Sequence, residues 1–161
     1  MAAVLTEEIR KLFENQDSVK VLATVNREGV PHVVFKDSLR VTPDGYLTYR
    51  ELIETSQTNK NMVYSIWFHK TVAVTITDGK VSWQIKGIPY RSIIAGRKFE
   101  RAYREVQKQY GNVDLAAVWL IEPIQVTDQT LEKRREEEEE KHPILKHVDR
   151  LVVSEPRRGS S

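Results

Sequence analysis

The residues with the clearest chemical potential form one polar run near the middle of the chain. The run consists of Ser56, Gln57, Thr58, Asn59, Lys60 and Asn61. Hydroxyl, amide and ammonium groups that precede a helix can bind a phosphate, because a helix N-terminus presents free N–H donors and the positive end of the helix dipole. The same composition also suits an ordinary N-cap, in which a side-chain oxygen accepts a backbone hydrogen bond. Both interpretations remain open on these residues alone.

Other catalytic and metal-binding patterns are weak. The chain has no cysteine, which excludes disulfides, thiolate catalysis and cysteine-ligated zinc. His32 and His69 are isolated, and the spacing of His142 and His147 does not place them on one helix face. The glutamates at 136–140 lack the spaced Asp/Asn/Gly pattern of a calcium loop. The sequence therefore predicts no metal site and identifies no catalytic acid or base.

The composition fits one globular domain with an appendage. The chain has 161 residues, 40% of them hydrophobic, and a formal net charge of +2. That charge does not call for nucleic acid or an anionic membrane as a partner. No apolar run approaches the length of about 20 residues that spans a bilayer, and residues 1–10 lack the apolar core of a signal peptide. We therefore expect a cytoplasmic protein.

Hydrophobic periodicity and turn residues predict a mainly β fold. Thr6 is placed to cap a first helix with Ile9, Leu12 and Phe13 on one face. The turn residues at 27–29, 43–45 and 78–79 separate extended segments, while Asp37–Val41 either continues a strand or bends it. Gly87 and Pro89 mark an edge or a bulge. The predicted strands are Val19–Asn26, Pro31–Lys36, Tyr46–Arg50, Thr71–Thr77, Lys80–Tyr90 and Leu115–Val126.

Two helices interleave with these strands, and a charged segment follows them. A short helix runs from the polar loop at 55–62 through Tyr64, and a longer one spans Lys98–Tyr110 and ends at Gly111. Short strands separated by turns favour a six-stranded antiparallel barrel over a parallel sheet. We place this domain at residues 1–127. Residues 128–161 form a charged, helical or partly disordered tail, within which His142–Val153 is amphipathic.

Three segments in succession give the chain its likeness to a known family. An apolar strand ends in Lys36, a Gly-aromatic strand spans Gly45–Arg50, and the polar run Ser56–Asn61 opens a short helix. This order resembles the FMN-binding split-barrel superfamily that includes pyridoxamine 5'-phosphate oxidase. The similarity covers about residues 5–127. The resemblance implies a split β-barrel, a bound flavin mononucleotide (FMN) and a homodimer in which two subunits share each flavin.

The resemblance also implies roles for individual residues. Lys36 and the residues Ser56, Gln57, Thr58, Lys60 and Asn61 would bind the FMN phosphate, with Arg50 as a second cation. The main chain of Val34, Phe35 and Lys36 would face the pyrimidine edge of the ring. Val34, Phe35, Tyr49 and Trp119 would flank the ring, with Trp119 or Trp83 supplied by the partner subunit as a lid. The alternative for the three tryptophans, Trp67, Trp83 and Trp119, is an ordinary place in the core.

The chain departs from the vitamin B6 oxidases at two places. Gln57-Thr58 stands where those enzymes have an Arg-Lys pair, and the chain ends in a glutamate run and Pro156-Arg157-Arg158 instead of their substrate-binding segment. We therefore expect an FMN-dependent oxidoreductase with another small-molecule substrate or electron donor. The alternatives are a relative that binds deazaflavin or haem, with His32 or a tail histidine as haem ligand, and a non-catalytic module that acts through its tail.

Overall fold

The computed structural model describes residues 3–143, in which one curled antiparallel sheet is flanked by four helices. The helices are α1 (Glu7–Glu14), α2 (Gln57–Phe68), α3 (Arg97–Tyr110) and α4 (Leu131–Lys141). The strands are β1 (Val19–Val25), β2 (Pro31–Phe35), β3 (Arg40–Val41), β4 (Leu47–Glu51), β5 (Val72–Thr77), β6 (Ser82–Ile93) and β7 (Ala117–Asp128). The strand order is β2-β1-β5-β6-β7-β4-β3.

The predicted mainly β split barrel is confirmed, with seven strands in place of six. The extra strand is β3, because Arg40–Val41 leaves β2 and pairs with β4 across Thr48 and Leu47. The two edge strands of the sheet, β2 and β3, are thus joined by a link of four residues, 36–39. In this link Ser38 Oγ accepts a hydrogen bond of 3.0 Å from the Arg50 main-chain N–H. The sheet therefore curls far enough for a short link to join its two edge strands.

The local predictions agree with the elements that form. Thr6 caps α1, which buries Ile9 and Phe13 against the sheet. Register shifts interrupt the pairing of β6 with β7 between Lys86 and Gly87 and again after Pro89, as expected for a bulged strand. α3 ends at Gly111, whose main-chain N–H bonds back to Gln107. α2 continues to Phe68, past the predicted end at Tyr64, before His69 adopts a left-handed conformation.

The core lies inside the curl and is filled by alternate residues of the strands. β1, β4, β5 and β7 each bury every second side chain, which is the pattern of strands with one face toward a core. The largest fully buried side chains include Trp119, Tyr49 and Phe13. A smaller cluster, formed by Ala102 and Val106 of α3 and by Leu115 just before β7, packs α3 against the start of β7.

The charged segment after β7 forms α4, none of whose residues is buried. Of the two alternatives predicted for this segment, a solvated helix or a disordered arm, the structure has the helix. Residues 144–153 of the amphipathic segment predicted at 142–153 lie outside the described residues. None of the helices within residues 3–143 combines the length and the apolar character needed to cross a bilayer.

Candidate functional site

A largely buried ion pair joins the residue that follows β2 to the last residue of β4. Lys36 Nζ lies 3.1 Å from Glu51 Oε2, and Glu51 is only 2% exposed. Glu51 Oε1 also accepts a hydrogen bond of 3.3 Å from the main-chain N–H of Ile53. Lys36 Nζ lies 5.2 Å from the centre of the Tyr49 ring, a geometry that favours a cation. The predicted phosphate ligand Lys36 therefore already has a carboxylate partner within its own chain.

Tyr49 lies in the core beneath this ion pair. Its side chain is fully buried, and its hydroxyl has no hydrogen-bond partner among the described residues. Burial, and then the charge of Glu51, raises the pKa of the Tyr49 hydroxyl far above its usual range. The phenol is therefore neutral, and the face of its ring lies toward the Lys36 ammonium group.

Arg50 points to the opposite side of β4 from Tyr49. Its guanidinium forms an ion pair with Glu105 on α3, and the Glu105 side chain is half exposed. Arg50 therefore holds α3 near the sheet. The second predicted phosphate ligand is, like Lys36, already paired with a carboxylate.

A cleft of about 1080 Å³ runs between these strands and α3. It brings together four of the predicted site residues, Phe35, Lys36, Tyr49 and Arg50. Six Lys and Arg side chains and three carboxylates line it, so its walls carry an excess of positive charge. Residues 56–61 are not part of this lining. The predicted site is therefore divided between the cleft and the start of α2.

The polar run forms the N-terminus of α2. Ser56 Oγ caps the helix by accepting a hydrogen bond of 3.0 Å from the Asn59 main-chain N–H. Within the described residues, the main-chain N–H groups of Gln57 and Thr58 have no acceptor. The first turn contains no acidic residue, and Lys60 is exposed. This end of α2 therefore keeps two free N–H donors beside a lysine.

Two predicted phosphate ligands in this run have structural tasks. Asn61 is buried, donates a hydrogen bond of 3.0 Å to Thr24 Oγ1 and accepts one of 2.8 Å from Gln57. The Thr58 side chain is buried as well. Both side chains are therefore engaged inside the fold, and their role as phosphate ligands stays a prediction. Thr58 retains only its main-chain N–H for a ligand.

Trp119 is enclosed within its own chain. It is 2% exposed within a single chain, and its Nε1 donates a hydrogen bond of 2.9 Å to Asn59 Oδ1. This burial is that of a core aromatic, and a contact of Trp119 with a flavin stays a prediction. Its task is to tie β7 to the start of α2. Trp83, the other predicted lid, is half-buried against the core.

The remaining ring contacts differ in exposure. Val34 is half-buried and packs against the core, whereas Phe35 is 75% exposed.

Glu51 was missed by the sequence prediction, although its place two residues after Tyr49 puts it on the inward face of β4. His32 is half-buried on β2, and within residues 3–143 no group of three His, Asp or Glu side chains is placed to hold a metal ion.

Comparisons with known proteins support the fold. No protein-family model and no curated protein matches the chain. HupZ from Group A Streptococcus is 22% identical, with a TM-score of 0.65 over 80% of this chain and 96% of that one. A candidate pyridoxamine 5'-phosphate oxidase from Lactobacillus delbrueckii is 22% identical, with a TM-score of 0.59 over 77% and 93%. An FMN-binding protein from Syntrophomonas wolfei is 14% identical, with a TM-score of 0.57 over 76% and 84%.

Other solved structures with this fold have different ligands in their names. An F420 reductase is 16% identical with a TM-score of 0.57, over 76% of this chain and 98% of that one. HutZ, a haem storage protein from Vibrio cholerae, is 13% identical with a TM-score of 0.53, over 80% and 97%. The chain therefore has the split-barrel fold of pyridoxamine 5'-phosphate oxidase-like and FMN-binding proteins. Proteins of this fold are named for FMN binding, for F420 and for haem.

Proposed function

We propose that this chain is a homodimeric flavoprotein that binds FMN and transfers electrons to or from a small molecule. The observation that carries the proposal is the start of α2. Two free main-chain N–H donors, a hydroxyl cap and an exposed lysine, with no acidic residue in the first turn, suit a dianionic phosphate. Proteins of the same fold include one named for FMN binding, which supports the same assignment.

Lys36 can bind the phosphate while it remains paired with Glu51. Its side chain is 18% exposed, and an ammonium group has three donors, of which Glu51 occupies one. β4 ends at Glu51 and α2 begins at Gln57, so the ion pair and the helix start are close along the chain. In this arrangement the Gln57 and Thr58 N–H groups and Lys60 bind the phosphate, and Lys36, in the link that follows β2, adds positive charge from the neighbouring cleft.

The exposed ring of Phe35 would give the flavin an apolar wall. The outward side chains of β2 include Val33 and Phe35, which are large and apolar yet exposed. The redox chemistry would belong to the flavin. The task of the chain is then to hold the ring, exclude water from one face and admit the reaction partner. Within the described residues we assign no acid or base to the reaction.

The phosphate assignment predicts a difference between FMN and riboflavin, which lacks the phosphate. Lys60→Gln should weaken FMN binding about fivefold to tenfold, since a charge-assisted hydrogen bond is lost, and leave riboflavin binding unchanged. Fluorescence titration of apoprotein measures both ligands. Lys70→Gln, just beyond the other end of α2, is the matched control and should leave both affinities unchanged. Equal losses for FMN and riboflavin in Lys60→Gln would contradict the assignment.

The second copy in the proposed dimer would cover an exposed apolar surface on β2 and α2. This surface comprises Val30, Val33, Phe35, Val63, Trp67 and Phe68, all of them exposed. The two elements contact each other, and β2 is an edge strand with one unpaired side. Large exposed apolar side chains on two contacting elements are typical of an interface, and Trp is enriched among residues that dominate binding energy.

The dimer proposal predicts that Trp67→Glu weakens self-association. Trp67 is 75% exposed in one chain, so the substitution should leave the fold intact. Loss of a central aromatic residue costs about 2 kcal/mol or more, which shifts the dimer toward monomer at micromolar concentration. Light scattering after size-exclusion chromatography measures the mass. Ile94→Glu, at an exposed apolar residue outside this surface, is the control. A monomeric unaltered chain would refute the dimer, and a fully dimeric Trp67→Glu would refute this surface.

A further inference from the structure

A buried lysine lies at an inward position of β1, where the strand pattern calls for apolar side chains. β1 buries Lys20, Leu22 and Thr24 in alternation, and Ser18, just before the strand, continues the same face. Lys20 is 2% exposed. Burial of an ammonium group is costly unless it is paired and hydrogen-bonded. Lys20 therefore needs an explanation beyond packing.

The protein itself partners Lys20 poorly. Its Nζ donates one long hydrogen bond, 3.5 Å, to the main-chain oxygen of Asp37. That oxygen also accepts a bond of 2.7 Å from Arg40. No carboxylate among residues 3–143 lies within 4.0 Å of Lys20 Nζ. Burial first, and then the nearby Arg40 charge, lowers the pKa of Lys20 to about 8, while Asp37 acts in the opposite direction. Near neutral pH, Lys20 is therefore still a cation without an anionic contact.

An unused hydroxyl lies on the same face. Ser18 is 7% exposed, and its Oγ has no hydrogen-bond partner among the described residues. Ser18 and Lys20 both line the cleft, together with Arg40. The two other cations of the cleft nearest the strands, Lys36 and Arg50, are already paired with Glu51 and Glu105. The end of the cleft that Ser18 and Lys20 line therefore contains, among the described residues, an ammonium group without a carboxylate partner and a hydroxyl without a hydrogen-bond partner.

We propose that this end of the cleft is a binding site for a small oxyanion, a carboxylate or phosphate group held by Lys20 Nζ and Ser18 Oγ with Arg40 at the rim. An oxyanion accepts hydrogen bonds from both ammonium and hydroxyl groups, and such charge-assisted bonds are the stronger kind. The site is separate from the start of α2, because residues 56–61 do not line the cleft. The cleft is shared with Phe35 and Lys36, which the proposed function assigns to FMN, but Ser18, Lys20 and Arg40 are not among the residues assigned to it.

Binding of inorganic phosphate and of acetate to the whole chain tests the site. Calorimetry at constant ionic strength, with chloride as the balancing anion, removes non-specific screening from the comparison. The unaltered chain should bind one of the two probes at about neutral pH, and whichever binds more tightly identifies the group as phosphate or carboxylate. Failure to bind either probe at millimolar concentration overturns the proposal.

Three variants locate the site. Lys20→Met keeps the apolar stem and should weaken binding at least about tenfold, and Ser18→Ala should weaken it about threefold. Lys98→Met, an exposed cation on the α3 wall of the same cleft, should bind like the unaltered chain. Equal binding by Lys20→Met overturns the assignment, as does an equal loss in Lys98→Met, which would indicate diffuse attraction only. Retained FMN affinity in Lys20→Met separates this result from the flavin proposal.

A measurement on the unaltered chain covers the case in which Lys20→Met does not fold. The bound anion should raise the pKa of Lys20 from about 8, because an adjacent negative charge favours the ammonium form. Lysine side-chain NMR with and without phosphate or acetate reads this shift. The charges of Arg40 and Asp37 act on Lys20 with and without the anion, so the difference between the two titrations reports the anion alone. An unchanged Lys20 titration in the presence of the better-binding probe contradicts the proposal.

Discussion

Lys36→Met should lower the free energy of unfolding by about 3 kcal/mol, the cost of leaving a buried charge without its partner. Glu51 is 2% exposed, and Lys36 Nζ at 3.1 Å is its ion-pair partner among residues 3–143. Methionine retains the apolar stem of lysine, so the loss reports on the charge and not on packing. Urea unfolding followed by fluorescence of the tryptophans measures it.

The rescue and the control for this prediction come from the same strand. Glu51→Gln in the Lys36→Met background removes the unpaired charge and keeps an acceptor for the Ile53 N–H, so it should recover most of the lost stability. Arg50→Met is the control, because its partner Glu105 is half exposed and such a pair contributes below about 1 kcal/mol. Equal losses in Lys36→Met and Arg50→Met, or no rescue, would contradict a buried ion pair.

The instability expected of Lys36→Met complicates any measurement of Lys36 as a flavin ligand. A single substitution of Lys36 alters the fold and the phosphate site together. FMN affinity should therefore be compared between Glu51→Gln and the double variant Lys36→Met with Glu51→Gln. The difference between those two chains isolates the contribution of the ammonium group to phosphate binding.

Gly87→Ala should also be strongly destabilising, by about 2–3 kcal/mol, as is typical of overpacking a core. A Cβ at this position would lie 2.5 Å from Ile121 Cγ2 and 2.8 Å from the main-chain oxygen of Glu122. Ile121 is fully buried, and the Glu122 backbone belongs to β7, which pairs with β6 here. Neither atom can move without disturbing the bulge between Lys86 and Gly87.

Thermal unfolding of Gly87→Ala against Lys86→Ala isolates the steric effect. Lys86 is the exposed neighbour on the other side of the bulge, so its replacement should change stability by less than about 0.5 kcal/mol. A Gly87→Ala chain as stable as Lys86→Ala would mean that β6 and β7 are farther apart than the structure places them.

Much of the fold follows from local sequence signals. The cap at Thr6, the turn at Asp78-Gly79, the bulges near Gly87 and Pro89 and the helix end at Gly111 all depend on neighbouring residues only. Such features are readable because backbone preferences and short-range periodicity decide them. β3 was not predicted as a separate strand because two residues are too few to show the alternation of buried and exposed side chains.

The site was less predictable because it depends on how the sheet curls. Lys36 and Glu51 are brought together although β2 and β4 are not neighbours in the sheet order. Trp119 is a core side chain, but β7 is apolar on both faces from Ala117 to Ile121, so the sequence alone does not show which face of the strand points inward. The inward position of Lys20 likewise needs the register of β1, since a lysine ordinarily indicates the exposed face.

The central claim is that this split barrel holds FMN, and titration of the purified apoprotein with FMN tests it most directly. We expect quenching of the flavin fluorescence with saturation at one FMN per chain. Riboflavin should bind more weakly, because it lacks the phosphate for the start of α2. Parallel titrations with F420 and haem cover the other ligands for which proteins of this fold are named. Saturable FMN binding that exceeds riboflavin binding is the predicted result, and tight binding of haem or F420 without FMN affinity would contradict it.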